Sequence, residues 1–421
     1  MSELTQTDWL AQAERAAAAV DADKVISLTR ELVRIKSVYE PDQGGNETEV
    51  VTFLESYLRE LGLAPVLEHP QPDRPNLICD WQGSSFESDK HATLMFEGHT
   101  DVVTEGDASM WLYPPFAAEL VDGIIYGRGS CDMKAGVAAA IEATYAVMQT
   151  SPDLAGRIRL GIVCDEEGMM IGIKHFIAQG WADEVDAAII CEPEQQELCL
   201  FQKGAMRVTV NVRGVMSHGA MPYAGCNPIV PLAKFIDRVH DFEKAEQARL
   251  GEHPELGLPW LTPTILKAPE RGEAQNNVMP ETAFAALDIR TVPGQDHNEI
   301  LATLQSIAQE IASSDARLQI EVDCFESRPW TQTSEDASIV RALEAVYPSI
   351  MNEPPKYGGV PGATDGTFLH ATAGVPIVTI GPGDREVPHQ RNEHVDANEV
   401  VRSARLYAAA AVYFLLSQAE S

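Results

Sequence analysis

The chain has 421 residues, 45% of them hydrophobic, so it is long enough to form two domains that each bury a core. Its 63 acidic residues outnumber the 31 basic ones and give a formal charge of -32, which argues against nucleic acid or an anionic membrane surface as a partner. No segment has the roughly 20 uninterrupted apolar residues of a membrane span, and the amino terminus lacks the basic start of a signal peptide. Seven scattered cysteines, an odd number, favour reduced thiols and a cytoplasmic location.

Helices and strands are predicted to alternate over residues 1–200. Apolar residues recur at three- and four-residue spacing in the first two helices, and continuous apolar runs indicate buried strands. In chain order the predicted elements are helices at 23–38 and 47–62, strands at 76–81 and 91–99, a helix at 134–149, a strand at 157–164, a helix at 170–180 and a strand at 187–192. This alternation indicates an α/β fold with a mixed, largely parallel sheet flanked by helices, whose functional residues should follow the strand carboxyl ends.

The pattern changes at about residue 201. The order β-α-β-β-α-β up to about residue 325 predicts a separate two-layer α+β unit, inserted into the first domain like a lid. After it, helix and strand alternate again to the end of the chain. We therefore expect a catalytic domain formed by 1–200 and 326–421, interrupted by an insertion at 201–325.

Three adjacent acids, Asp165, Glu166 and Glu167, follow the strand at 157–164. Adjacent carboxylates repel one another, and a partly dry cleft raises the pKa of one of them unless a cation compensates. No lysine or arginine lies next to them in the sequence, which favours a bound metal ion. The alternative is that the acids belong to the first turn of the next helix, where negative charge is stabilised by the helix dipole.

Other potential ligands occur at further loops that follow predicted strands. His99 and Asp101 lie two apart in "GHTDVV", so that in an extended segment both face the same way and Asp101 can accept from the second ring nitrogen of His99. Asp132 precedes the helix at 134–149, where a helix N-cap is the alternative role. Glu192 follows the apolar run at 187–191 in "CEPE", and His389 lies on a Gly- and Pro-rich loop.

Together these positions supply two imidazoles and three carboxylates, namely His99, Asp132, Glu167, Glu192 and His389. Nitrogen and oxygen donors suit zinc, and also cobalt or manganese, and five ligands exceed what one tetrahedral ion needs. Two ions bridged by one carboxylate would use all five, and two such ions sharing a water are a known solution for hydrolysing amides. Glu166 would then be free to act as the general base.

The motifs "GHTDVV", "GRGSCDMKAG", "DEEG", "CEP", "SHGAMP", "NNVMP", "LDIRTVPG", "GATDGTFL" and "HQRNE", in this order, resemble those of a dinuclear-zinc peptidase and amidohydrolase family. That family includes acetylornithine deacetylase, succinyl-diaminopimelate desuccinylase, aminoacylase-1 and carboxypeptidase G. The resemblance implies that His99 and Glu192 hold one ion, that Glu167 and His389 hold the other, and that Asp132 bridges them. It also implies that Asp101 orients His99 and that Glu166 is the base and later the proton donor.

The resemblance further implies roles for the insertion. It would be a lid that carries homodimer contacts, with His218 of "SHGAMP" stabilising the oxyanion and with Arg290 and Asn277 binding a substrate carboxylate. Thr364, in "GATDG", is a weaker candidate for substrate contact. The alternatives are a satisfied loop histidine at position 218 and a structural salt bridge at Arg290.

The expected function is therefore that of a metal-dependent hydrolase acting on a small molecule with a free carboxylate. The amide bond of an N-acyl amino acid is the expected target, as in a deacetylase or desuccinylase. A dipeptidase or carboxypeptidase with the same metal centre is the enzymatic alternative. A metal-stabilised binding or scaffold protein is the non-enzymatic alternative, although a scaffold would have no need of Glu166.

Overall fold

The computed structural model describes residues 5–40 and 46–419. The chain forms two compact units. The first runs to Leu200 and resumes over Thr333–Gly358 and from Thr364, and the second comprises Phe201–Gln332 and Gly359–Ala363. The insertion predicted at 201–325 lies within the second unit, which extends to Gln332.

The described helices are α1 (Gln6–Ala18), α2 (Ala22–Arg34), α3 (Thr48–Glu60), α4 (Lys134–Thr150), α5 (Ile171–Ala178), α6 (Ile229–Leu250), α7 (His297–Ala312), α8 (Ser338–Met351), α9 (Gly366–Ala373) and α10 (Ala397–Ala419). The strands are β1 (Val66–Gln71), β2 (Arg74–Gln82), β3 (Thr93–His99), β4 (Glu119–Val121), β5 (Ile124–Tyr126), β6 (Arg157–Val163), β7 (Ala187–Ile190), β8 (Leu198–Gln202), β9 (Gly204–Arg213), β10 (Ser217–His218), β11 (Trp260–Lys267), β12 (Val278–Met279), β13 (Thr282–Thr291), β14 (Gln319–Arg328), β15 (Thr331–Gln332), β16 (Tyr357–Val360), β17 (Ile377–Thr379) and β18 (His394–Asp396).

The central sheet of the first unit follows the order β1-β2-β6-β3-β7-β17-β8. Strand β3 runs parallel to β6 and β7, and β17 runs parallel to β7, whereas β1, β2 and β8 pair antiparallel at the two sides. The prediction of a mixed, largely parallel sheet is therefore confirmed. Because Phe96 of β3 lies opposite both Leu160 and Ile189, the carboxyl ends of β3, β6 and β7 meet at one edge.

Helix α4 brings this edge and its loops together. Its small residues allow a close approach, and it is buried over most of its length. A Cβ atom at Gly136 would lie 2.0 Å from the main-chain oxygen of Cys191, so only glycine allows the helix to touch the loop after β7. The sequence prediction of a buried helix at 134–149 is confirmed, and the contact fixes the spacing between the loops before α4 and after β7.

Helix α10 is long and apolar enough to cross a membrane by length and composition alone. However, 78% of its most apolar window is buried inside the protein, against helices such as α1, α4 and α8. This is the behaviour of a core helix, and the apolar composition is explained by packing.

The second unit contains a four-stranded antiparallel sheet of order β11-β13-β9-β14. Burial alternates along β13, so that Ala285 and Leu287 face a core that also includes Phe235 of α6 and Leu304 of α7. The two helices cover one face of this sheet, and the chain order is β9-α6-β11-β13-α7-β14. The predicted two-layer α+β architecture is therefore confirmed.

Helix α1 and three short strands were not predicted from the sequence. Helix α1 begins with a capping box, in which Thr5 accepts from the main-chain N–H of Asp8 and the Asp8 carboxylate accepts from Thr5. Strands β4, β5 and β18, each only three residues long, form a small separate sheet. Strands this short carry too few residues for a periodic pattern.

Candidate metal centre

The inner part of the site is formed where β3 and β7 end. His99 is the last residue of β3 and is only 1% exposed. Its Nε2 atom lies 3.1 Å from Asp132 Oδ1 and 3.5 Å from Glu192 Oε1. The structure thus brings together three residues that the sequence separates widely.

The outer part of the site is more open. The Nε2 atom of His389, an exposed residue, lies 2.8 Å from Glu167 Oε1 and 3.2 Å from Asp132 Oδ2. The two carboxylate oxygens of Asp132 therefore face different imidazoles, one of His99 and one of His389. Asp132 does not act as a helix cap, because Met133 occupies the N-cap position of α4.

The potential ligand atoms form two sets, in each of which they lie within 4.8 Å of one another. We call the buried set His99, Glu166 and Glu192 the inner ligand group, and the set Asp132, Glu167 and His389 the outer ligand group. Imidazole nitrogens and carboxylate oxygens are the donors that zinc, cobalt and manganese take from proteins. The residues present thus fit divalent metal ions in number and chemistry.

Asp101 makes contacts that differ from the expected ones. The Nδ1 atom of His99 lies 2.9 Å from the main-chain oxygen of Asp101 and 3.6 Å from its carboxylate. A proton on Nδ1 would be donated to this carbonyl, which leaves Nε2 free to bind an ion. The Asp101 carboxylate instead accepts from the main-chain N–H groups of Glu166, at 3.2 Å, and Glu167, at 3.1 Å. Asp101 therefore positions the acidic loop through its carboxylate and the imidazole through its main-chain carbonyl.

Asp165 has a role that the sequence did not reveal. Its carboxylate accepts from the main-chain N–H of Met169 at 3.0 Å and of Ile171 at 3.3 Å, and it forms an ion pair with Arg74. Arg74 also pairs with the buried Glu47. No basic residue lies next to the acidic loop in the sequence, but the fold brings the Arg74 cation to Asp165 from β2. The helix-start alternative applies to Asp165, whose acceptor contacts extend to the first residue of α5.

Burial disfavours the ionised form of the other carboxyl groups of the site and so tends to raise their pKa. Burial raises the pKa of Glu192 to about 7, and burial together with nearby Glu192 raises the pKa of Glu166 well above its usual value. Burial would also raise the pKa of Asp132, but the imidazoles outweigh it and hold that pKa below its usual value. Hydrogen bonds to Asp132 and Glu167 raise the pKa of His389 to about 10. Crowded, buried carboxylates of this kind are stabilised by cations.

Glu97 adds a further carboxyl beneath the inner ligand group. It is 2% exposed, and its Oε1 atom has no hydrogen-bond partner within residues 5–40 and 46–419. Burial and the nearby Glu192 charge raise its pKa well above the usual value. The sequence signal was its position two residues before His99 inside β3, a place where an apolar side chain is the norm.

Among the lid candidates, His218 and Asn277 lie close together within the second unit. His218 lies on β10, which pairs with β12 directly after Asn277. The main-chain oxygen of Asn277 accepts from Gly219 N–H at 2.7 Å, and both His218 and Asn277 are exposed. His218 Nδ1 accepts from its own loop, from Ala220 N–H at 3.0 Å.

Arg290 makes the structural salt bridge that was its alternative role. Its Nε donates to Asp288 Oδ1 at 2.8 Å, and Asp288 also pairs with Arg207. In the first unit, Thr364 is buried, and its hydroxyl accepts from Gly366 N–H at 3.2 Å at the start of α9.

Residues 95–413 match the model of the peptidase family M20/M25/M40, a stretch that contains both ligand groups. This chain belongs to that family. A succinyl-diaminopimelate desuccinylase of Cereibacter sphaeroides is 30% identical over 91% of this chain and 96% of its own length. A probable succinyl-diaminopimelate desuccinylase of Staphylococcus epidermidis is 25% identical over 88% of this chain and 92% of its own length.

The solved structures include an M20 family metallo-carboxypeptidase from Sulfolobus solfataricus with a TM-score of 0.75. It is 18% identical and covers 94% of this chain and 99% of its own, which shows that the two share a fold. As a member of the M20 family the protein is a metallohydrolase acting on amide or peptide bonds. The non-enzymatic alternative is thereby set aside.

Proposed function

We propose that this M20 enzyme hydrolyses the amide bond of N-acyl amino acids, as a deacetylase or desuccinylase does, with two divalent metal ions at the inner and outer ligand groups. The observation that carries the proposal is the placement of Asp132, whose Oδ1 lies 3.1 Å from the His99 ring and whose Oδ2 lies 3.2 Å from the His389 ring. A carboxylate with one oxygen beside each imidazole is suited to bridging two ions. Zinc is the proposed metal, with cobalt or manganese as alternatives.

The ligands divide between the ions as the family resemblance implies. His99 and Glu192 would hold one ion, Glu167 and His389 the other, and Asp132 would contribute to both. Bound there, the ions would polarise the scissile carbonyl and lower the pKa of a shared water. The protein's part is to hold the imidazoles in the tautomer that leaves Nε2 free, as the Asp101 carbonyl does for His99 at 2.9 Å from Nδ1.

Glu166 is the proposed general base. It is buried within the inner ligand group, and burial raises its pKa well above the usual value, which favours uptake of a proton by this carboxylate. It would accept a proton from the attacking water and deliver it to the nitrogen of the leaving amine. The Asp101 carboxylate fixes the position of Glu166 by accepting from the main-chain N–H of Glu166 at 3.2 Å.

The substrate class is supported by the kinship with desuccinylases. The Cereibacter sphaeroides relative is aligned over 91% of this chain, so the likeness includes the second unit as well as the metal centre. His218 remains the predicted oxyanion donor, Arg290 and Asn277 the predicted carboxylate-binding residues, and Thr364 a weaker candidate for substrate contact. A guanidinium is suited to this role because it can bind a carboxylate through two parallel hydrogen bonds.

A substrate panel tests the proposal. Metal-free protein would be reconstituted with zinc, cobalt or manganese and assayed with N-acetyl amino acids, N-succinyl amino acids and dipeptides. We expect turnover of an N-acyl series and the dependence of that turnover on two equivalents of metal. Hydrolysis of the dipeptides alone would assign the enzyme to the dipeptidases or carboxypeptidases instead.

We also propose that the protein is a cytoplasmic homodimer that associates through its lid. Strand β11 is an edge strand of the second unit and exposes Trp260, Ile265 and Leu266, and an exposed apolar edge is a ready surface for pairing with a second copy. The seven free cysteines support a reducing compartment. Light scattering on the wild-type protein and on Leu266→Lys tests the dimer: a wild-type monomer would contradict it.

A further inference from the structure

A buried ion pair lies behind the outer ligand group. Arg128 is 2% exposed and Glu393 is 1% exposed, and the guanidinium Nη1 of Arg128 pairs with Glu393 Oε2. Arg128 follows β5 and Glu393 precedes β18, and these two strands are paired with Tyr126 opposite His394. Next to this strand pair, the Gly127 N–H donates to the main-chain oxygen of Glu393 at 2.9 Å.

The pair contacts the main chain of two residues of the outer ligand group. Glu393 Oε1 accepts from the N–H groups of Cys131 and Asp132, both at 3.0 Å. On the other side, Arg128 Nη2 donates to the main-chain oxygen of His389 at 3.4 Å and to that of Thr104 at 3.2 Å. One ion pair therefore links the loop of the proposed bridging carboxylate to the loop of the exposed imidazole.

The outer ligand group depends on such support because its residues lie on loops. His389 has a φ of 64°, a left-handed conformation that costs conformational free energy in a residue other than glycine. Gly129, in the loop before Asp132, has a φ of 81°. Neither conformation is set by a helix or strand, and the ion pair provides main-chain hydrogen bonds at His389 itself and at Asp132, three residues after Gly129. Burying a charge pair is costly unless further hydrogen bonds satisfy its polar atoms, and here Arg128 Nη2 and Glu393 Oε1 make such bonds to the main chain.

We infer that Arg128 and Glu393 are positioning residues for the outer ligand group, which fix the main chain of Asp132 and His389 so that both side chains are directed at one ion. The inference rests on the proposed two-ion centre. Neither residue contacts a reacting atom. Their loss should weaken the binding of the second metal ion and leave the first largely unchanged, apart from the bridging contribution of Asp132.

The test is a cobalt titration of the metal-free protein, followed by visible absorption and calorimetry. In Glu393→Gln the shape of the side chain is kept but the ion pair is lost, and we expect the second equivalent to bind about 10- to 100-fold more weakly, with an altered absorption band. Arg128→Lys keeps the charge but loses the forked contacts, and we expect a smaller change of the same kind. If Glu393→Gln does not fold, the metal titration of Arg128→Lys alone tests the inference.

The matched control is Asp80→Asn. Asp80 pairs with the buried Arg159 at 2.7 and 2.6 Å in the central sheet, and neither residue contacts a proposed ligand. This variant should lower the thermal stability yet bind both equivalents as the wild type does. The inference is overturned if Glu393→Gln and Arg128→Lys bind both ions normally, or if Asp80→Asn loses the second ion equally. A wild-type protein that binds fewer than two equivalents contradicts the proposed function itself and overturns the inference with it.

Discussion

The inner and outer ligand groups differ in how the fold supports them. The inner group is buried throughout, and His99 and Glu192 lie at or just beyond the ends of the neighbouring parallel strands β3 and β7. In the outer group His389 is exposed, Asp132 and Glu167 are half-buried, and all three lie on loops. The strand ends thus place His99 and Glu192, whereas Glu166 and the outer group lie on loops whose main chain is bound by the side chains of other residues.

The largest effect is expected at Glu166, which lies in the inner group but is proposed to move a proton rather than to hold an ion. In Glu166→Gln we expect turnover to fall by about 10²- to 10⁴-fold, because the amide cannot accept a proton from water. Metal content, measured by mass spectrometry, should stay at two equivalents. A variant that loses an ion would show that Glu166 is a ligand, and retained activity would refute its role as base.

The next effect distinguishes the two groups directly. His389→Ala removes the exposed imidazole, and we expect the protein to keep the inner ion and lose the outer one after gel filtration. Loss of a residue that only hydrogen-bonds to a metal ligand lowers metal affinity by about 10- to 100-fold. Loss of the ligand His389 itself should lower the affinity for the second equivalent by more than this. Because Asp132 serves both groups, Asp132→Ala should lose both ions. Equal loss of both ions in His389→Ala would contradict the division of the site.

A smaller effect is expected at Arg290, in the second unit. If it binds the substrate carboxylate, Arg290→Ala should raise KM by about 10- to 100-fold with kcat little changed, since a hydrogen bond to a charged group contributes about 1.5–3 kcal/mol. Arg207 is the matched control, because it pairs with the same Asp288. Similar kinetics of the Arg290→Ala and Arg207→Ala enzymes would return Arg290 to a purely structural role.

The smallest expected effect is the release of a proton from the His389 imidazole when a metal ion binds. Hydrogen bonds to Asp132 and Glu167 raise the pKa of His389 to about 10 in the metal-free protein, so its imidazole is protonated at pH 8 and must lose that proton to bind an ion. Metal affinity should therefore rise with pH up to about pH 10. His389→Ala should release about one proton fewer, measured by calorimetry in buffers of different ionisation enthalpy. No difference between the two proteins would contradict the assignment.

The same shift makes a prediction about stability. The folded pKa of His389, about 10, lies above the 6.5 of an ordinary histidine, so its contribution to the stability of the metal-free protein is fully present below about pH 6.5. That contribution is lost as the pH rises through about 10. Thermal unfolding of metal-free wild-type protein should therefore show a loss of stability in this range that the His389→Ala variant lacks.

Much of the fold could be predicted because its main elements are long and periodic. The buried strands β3 and β6 are continuous apolar runs, and the helices α2 and α3 repeat apolar residues at helical spacing. The small sheet of β4, β5 and β18 could not be found in this way, because three residues are too few to form a periodic pattern. In addition, β5 pairs with the distant β18 as well as with its neighbour β4. That sheet nevertheless positions Arg128 and Glu393.

The ligand candidates could be predicted because each stands in a distinctive motif at a loop. Their supporting charges could not. Arg74 compensates Asp165 across 91 residues of sequence, and Arg128 pairs with Glu393 across 265. Glu393 stands in the "HQRNE" motif, but nothing in the sequence indicates that its carboxylate accepts from the main chain at Asp132. Pairings of this kind arise from the folded backbone and have no local signal.

Asp132 is proposed to join an inner and an outer metal position with its one carboxylate. Anomalous scattering from crystals of the zinc-reconstituted protein would locate both ions. We expect two zinc peaks about 3.5–4 Å apart, with one oxygen of Asp132 on each, His99 on the inner ion and His389 on the outer. A single ion, or two ions that do not share Asp132, would contradict this proposal.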